Sequence, residues 1–111
     1  MQAFEAGETL AGFDQDFVYR EPLVAESLSV GVALWRAGAR DAQSPHEQDE
    51  VYCVLAGRAR IRVGEDDRVV MPGSVVFVAA QVPHHFHDIQ EDLQVVVFWT
   101  PPHRGQETLK T

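Results

Sequence analysis

Between residues 26 and 100, short apolar and β-branched runs alternate with clusters of Gly, Pro, Asp and Glu, and helical periodicity is almost absent. Seven runs read as strands: 27–36, 50–55, 59–63, 68–71, 74–78, 84–88 and 93–100. Gly57 is expected to break one hairpin, Gly64-Glu65-Asp66-Asp67 to turn the next, and Pro72-Gly73 to make a third corner. Short strands at this spacing predict an all-β, antiparallel sandwich or barrel. Residues 1–25 form an N-terminal arm with a candidate edge strand at Phe17-Val18-Tyr19, and the polar residues 101–111 form a peripheral tail.

Several of these strands are apolar in both parities. Val51-Tyr52-Cys53-Val54-Leu55 and Val95-Val96-Val97-Phe98-Trp99 offer an interior face and a second face that also needs cover. In a chain of 111 residues, the expected cover is a second copy, so a homodimer is predicted. By surface scaling, a chain of this size buries about two-thirds of its unfolded area, enough for one core and not two.

The charge pattern narrows the partners. Seventeen acidic residues against nine Lys and Arg give a formal charge of −8, which disfavours nucleic acid and anionic membrane surfaces. The densest basic stretch, Arg58-Ala59-Arg60-Ile61-Arg62, alternates as the solvent face of a strand does. The single cysteine, Cys53, allows no intramolecular disulfide and no multi-thiolate zinc site. It reads as a packing residue. Residues 1–5 carry neither a basic region nor an apolar run, and nothing approaches a membrane span, so the expected location is the cytoplasm.

Three polar residues stand among apolar strands where a plain sheet protein would not put them: His46, Glu50 and His84. His46 and Glu50 are four apart, so an extended chain points both to one face. Tyr52 and Val54 continue that parity, which aims Glu50 inward. A carboxylate inside a barrel is costly unless paired or metal-bound. Two imidazoles and a carboxylate around one divalent ion would satisfy all three groups. The alternative is that they hydrogen-bond to one another with no metal. His85 and His87 alternate with His84 and Phe86 and are expected on the surface, and His103 is expected to be solvated in the tail.

Gly38, then His46-Glu47-Gln48-Asp49-Glu50, then Gly57 resembles the first motif of the cupin superfamily. Gly73, then Ala79-Ala80-Gln81-Val82-Pro83-His84, ending at Asp88, resembles the second. The resemblance implies a single-domain double-stranded β-helix, or jelly-roll barrel, over residues 26–100. It also implies one divalent transition metal (Fe, Mn, Ni or Zn) on His46, Glu50 and His84. The sequence departs from the pattern at Ser44, where the family's first histidine stands, and at Ala79, Gln81 and Asp88. A slip of one residue in the loop would place Pro45 at the second histidine position and leave His46 outside the motif. Gln43, Gln48, Ser44 and Tyr52 are candidates for a fourth position or for the residues supporting the site. Trp35, Val54 and Phe86 are candidate pocket residues, while Phe77 is expected to fill the barrel.

The function implied is a metal-dependent enzyme of dioxygenase, decarboxylase or isomerase type on a small organic molecule. The alternative is a small-ligand-binding or vestigial, metal-free cupin.

Overall fold

The computed structural model describes residues 1–104. A one-turn helix, α1 (Ala6–Thr9), precedes six strands: β1 (Phe17–Val24), β2 (Ser29–Trp35), β3 (Asp49–Val63), β4 (Asp66–Val70), β5 (Val75–Val78) and β6 (His84–Thr100). All pairings are antiparallel, in the order β1-β2-β6-β3-β4, with β5 also on β3. No helix among the described residues is long and apolar enough to cross a membrane.

Two expected breaks in the sheet are absent. Residues 50–55 and 59–63 are one continuous strand, β3, and residues 84–88 and 93–100 are one continuous strand, β6. Gly57 makes no hairpin. It sits at φ 93° within a bulged stretch where the β3–β6 register shifts repeatedly between Val54 and Arg60. A Cβ there would run into the backbone of Asp92 and Leu93 on β6, so glycine permits this close approach. The bulges let two long strands curl, and the curl closes the sheet. Glu50 near the start of β3 pairs with Val78 and Trp99, while His84 pairs with Val63 at the far end of β3, yet the two side chains meet at 3.1 Å.

The turn after β3 is tighter than expected, since β4 already begins at Asp66 and pairs with Val63. Pro72-Gly73 makes the anticipated corner. The Ser74 amide donates to the Met71 carbonyl at 2.9 Å and Gly73 takes φ 94°, the form of a type II turn.

The inner face of the curled sheet carries the main core, with Tyr19, Trp35, Tyr52, Ile61, Phe86, Leu93 and Trp99 among its buried residues. Tyr19 lies over Gly31, where any side chain would collide with its ring. The outer face is covered unevenly. Over β1 and β2 the chain's own arm does the work: Leu10, with Phe4, Ala6 and Phe13, packs on Val18, Val32 and Leu34. All seven β2 residues are therefore buried without a second subunit. Val96 of β6 also packs against this cluster, while beyond it, over Phe98, Leu55 and β5, the face is open. Phe77 does not fill the barrel as expected; it is 60% exposed, beside Val75 at 65%. The physical reason is parity: Val76 and Val78 take the inward positions of β5.

Candidate metal centre and adjoining cavity

His46 reaches the site from the loop before β3, Glu50 from the second position of β3, and His84 from the first position of β6. A bend at Glu47 and Gln48 separates His46 from the strand, so its approach to Glu50 owes nothing to strand parity. The His46 carbonyl accepts from the Gln81 amide at 2.8 Å, which ties this loop to the one leading into β6. The loop brings the His46 side chain, and not that of Pro45, to Glu50, with Nε2 2.9 Å from Oε1.

Three donor atoms converge. His46 Nε2 lies 2.9 Å from Glu50 Oε1, His84 Nε2 lies 3.1 Å from the same oxygen, and the two nitrogens are 3.3 Å apart. The protonation of the rings follows from their other nitrogens. His46 Nδ1 faces the Gln48 carbonyl at 3.2 Å and His84 Nδ1 faces the Val82 carbonyl at 2.9 Å. A carbonyl only accepts, so each Nδ1 carries a proton and each ring turns its Nε2 toward Glu50. Glu50 Oε1 is buried, with both Nε2 atoms within hydrogen-bonding distance of it. Lone pairs packed this closely need a cation or a shared proton between them.

The spacing suits a metal ion. Bonds of about 2.1 Å meeting at about 90° leave neighbouring donors about 3.0 Å apart, as on one face of an octahedron. His46, Glu50 and His84 therefore fit a divalent ion by chemistry, tautomer and distance. The charges of the residues respond to one another. Burial pushes the Glu50 carboxyl up, but the His46 and His84 imidazoles outweigh it and hold the group below its ordinary value. Burial likewise pushes His84 down, and Glu50 outweighs it to leave the imidazole raised.

A second layer fixes the surroundings. Gln43 Nε2 donates to Asp41 Oδ2 at 2.7 Å, the Phe86 amide donates to the same oxygen at 2.8 Å, and the Tyr52 hydroxyl donates to Gln43 Oε1 at 3.1 Å. The Gln43 carbonyl is thus engaged by Tyr52. Burial, followed by the Glu50 and Asp41 charges, pushes the Tyr52 phenol well up, so it remains a neutral donor. Gln48 contributes its backbone carbonyl, and Ser44 lies on the exposed loop at the cavity rim.

Beside His46 and Glu50 opens a cavity of about 280 Å³, whose lining includes Phe17, Ala33, Trp35, Val97, Trp99 and His103. Trp35 is in this lining. Val54 and Phe86 are not among its lining residues; both are buried in the core, Phe86 with its ring 5.0 Å from Trp35 and 4.8 Å from Tyr52. His85 and His87 lie on the opposite side of the strand, His87 Nε2 being 2.7 Å from Asp67 Oδ2.

His103 overturns the expectation of a solvated tail. It is buried, its ring centroid is 4.1 Å from that of Trp99, and its amide donates to Ser29 Oγ at 2.9 Å. The rest of the tail beyond Arg104 lies outside the described residues. Tyr19, which accepts from Trp99 Nε1 at 2.8 Å, and Asp41 are further site residues that sequence reasoning missed. The Phe17-Val18-Tyr19 run hinted at the first, and nothing in the pattern marked the second.

The comparisons with known proteins meet this geometry. A cupin domain profile matches residues 32–101. The chain belongs to the cupin family. Uncharacterized protein SCO3923 of Streptomyces coelicolor is 47% identical over 103 residues, which are 92% of this chain and 98% of that one. Among solved structures, TT1209 from Thermus thermophilus aligns with a TM-score of 0.76 at 22% identity, over 92% of this cupin and 99% of that chain. DMSP lyase DddQ from Ruegeria pomeroyi aligns with a TM-score of 0.71 at 26% identity. The match covers 77% of this cupin and 47% of the lyase, so the chain spans about half the lyase's length.

Proposed function

We propose that this cupin holds one divalent transition ion (Fe, Mn, Ni or Zn) on His46, Glu50 and His84. On this reading it is a metal-dependent enzyme acting on a small organic molecule in the adjoining cavity. The observation that carries the reading is the convergence of two imidazole Nε2 atoms, whose rings are held at Nδ1 by backbone carbonyls, on one buried carboxylate oxygen. A bound ion supplies Lewis acidity or a seat for O₂. The chain's own residues do the rest. Trp35, Phe17 and Val97 keep water from the organic part of the ligand, and Tyr52, locked to Gln43, presents a fixed polar edge. Dioxygenation, decarboxylation and isomerisation fit this arrangement, and the likeness to a DMSP lyase adds a lyase reaction.

A second reading rests on the raised His84 imidazole: a metal-free cupin in which a proton on His84 pairs with Glu50. Elemental mass spectrometry of untagged protein, wild type beside His84→Ala, separates the two. Near-stoichiometric metal that disappears in the variant supports the enzyme reading. Trace metal that ignores the substitution overturns it.

We also propose that a second copy of the chain covers the open outer face. Phe77, Val51 and Phe98 form one cross-strand row and Val75, Cys53 and Val96 the next. Phe77 at 60% exposure, Val75 at 65% and Phe98 at 43% make this a contiguous apolar patch of the kind that marks an interface. The arm that covers the neighbouring half of the sheet is already engaged there.

A further inference from the structure

The cavity wall is selective in charge as well as in shape. Among the described residues that line it, Glu50 is the one carboxylate, and no Lys or Arg is present. His46 and His84 hold their Nδ1 protons on backbone carbonyls, so as ligands through Nε2 they add no charge. A divalent ion on this set, as proposed above, keeps one unit of positive charge after Glu50 has offset the other. A ligand with one negative charge cancels that excess. A second negative charge would sit in a small space walled by Phe17, Ala33, Trp35 and Val97 with no cation to receive it, which is strongly unfavourable.

The walls also state what the rest of the ligand is. The Phe17 and Trp35 rings lie 4.9 Å apart between centroids and those of Trp99 and His103 4.1 Å apart, the hydrogen-bonded pair Tyr52 and Gln43 adds polar groups, and Ser44 stands on the exposed rim. A cavity of about 280 Å³ holds on the order of ten non-hydrogen atoms. We infer that the ligand of this site is a small monoanionic oxygen acid, a carboxylate or enolate, attached to an aromatic or branched apolar body, and that dicarboxylates and phosphate esters are rejected. This rests on the metal reading above and adds the ligand class to it.

The test uses the full chain stripped with chelator and reloaded with Zn²⁺, its zinc content measured before each titration. Benzoate, acetate and malonate are then titrated calorimetrically. Benzoate is expected to bind at least about tenfold tighter than either acetate or malonate, the apolar body supplying the first margin and the unmatched charge the second. Ser44→Lys puts a cation on the exposed rim, and malonate should then gain about tenfold while benzoate changes little. Phe17→Lys replaces part of the apolar wall with a cation, so malonate should gain while benzoate weakens, which shifts the same ratio. Malonate binding tightest to the wild type, or neither lysine shifting the malonate-to-benzoate ratio, overturns the inference while leaving the metal site standing. Failure to retain zinc overturns both, and the zinc measurement tells the two failures apart.

Discussion

Gly57 and Gly73 form a natural matched pair for testing how the barrel closes. Their φ angles are 93° and 94°, so an alanine at either position bears nearly the same backbone strain. That strain is about 1–2 kcal/mol, and the stiffer unfolded chain returns about 0.4–1 kcal/mol, so Gly73→Ala should cost roughly 0.5–1.5 kcal/mol. Nothing lies within 4 Å of a Cβ at Gly73. At Gly57 the new atom meets the Asp92 carbonyl and the Leu93 Cα, which are backbone and cannot rotate aside. Forcing atoms into a packed contact adds about 1–3 kcal/mol, so Gly57→Ala should lose about 2–4 kcal/mol in total. A domain of ordinary stability, about 5–15 kcal/mol, still folds with that loss, so both variants are measurable by urea denaturation. Losses equal within about 0.5 kcal/mol would refute the argument that β3 and β6 approach too closely at the bulge for any side chain.

Other expectations follow from the site and the surface. In the metal-free protein, Glu50 contributes stability above its unfolded value near 4.5 and loses it as pH falls through its lower folded value. His84 contributes below its unfolded value near 6.5 and loses it as pH rises through its higher folded value. The melting temperature without metal should therefore peak between the two and fall on both sides. The gain on adding Zn²⁺ should grow as pH rises through the upper limb, since protons cease to compete; scanning fluorimetry across pH reads both. Tyr52→Phe leaves Gln43 Oε1 without its donor and should cost about 1–2 kcal/mol in denaturation while metal stoichiometry is unchanged. Phe77→Glu on the open face should convert a dimer to a monomer in sedimentation velocity, and a wild type that sediments as a monomer at micromolar concentration would refute the proposed interface.

The strands were legible because their chemistry is local: β-branched runs, a Pro-Gly corner and apolar alternation all act within a few residues. Their continuity was not. Gly57 reads as a hairpin breaker until the opposite strand is seen passing through the space a side chain would occupy. The three donors were visible because a His and a Glu of inward parity have no ordinary place in a barrel. His46, however, arrives from a bent loop, so parity pointed to the right residue through the wrong geometry. His103 and Asp41 were invisible because each depends on contacts with residues 74 and 45 positions away in the chain. Both-sided apolarity signalled an outer face in need of cover, but over β1 and β2 that cover is the chain's own arm, a segment too short and irregular to announce its role.

The central claim is that His46, Glu50 and His84 form one metal centre, and titrating chelator-stripped protein with Co²⁺ tests it most directly. Visible ligand-field bands should grow to saturation at one ion per chain. They should be absent in His84→Ala and in Glu50→Gln, each of which removes one of the three converging donors. Absence of saturable bands in the wild type, or bands that survive both substitutions, would contradict the account.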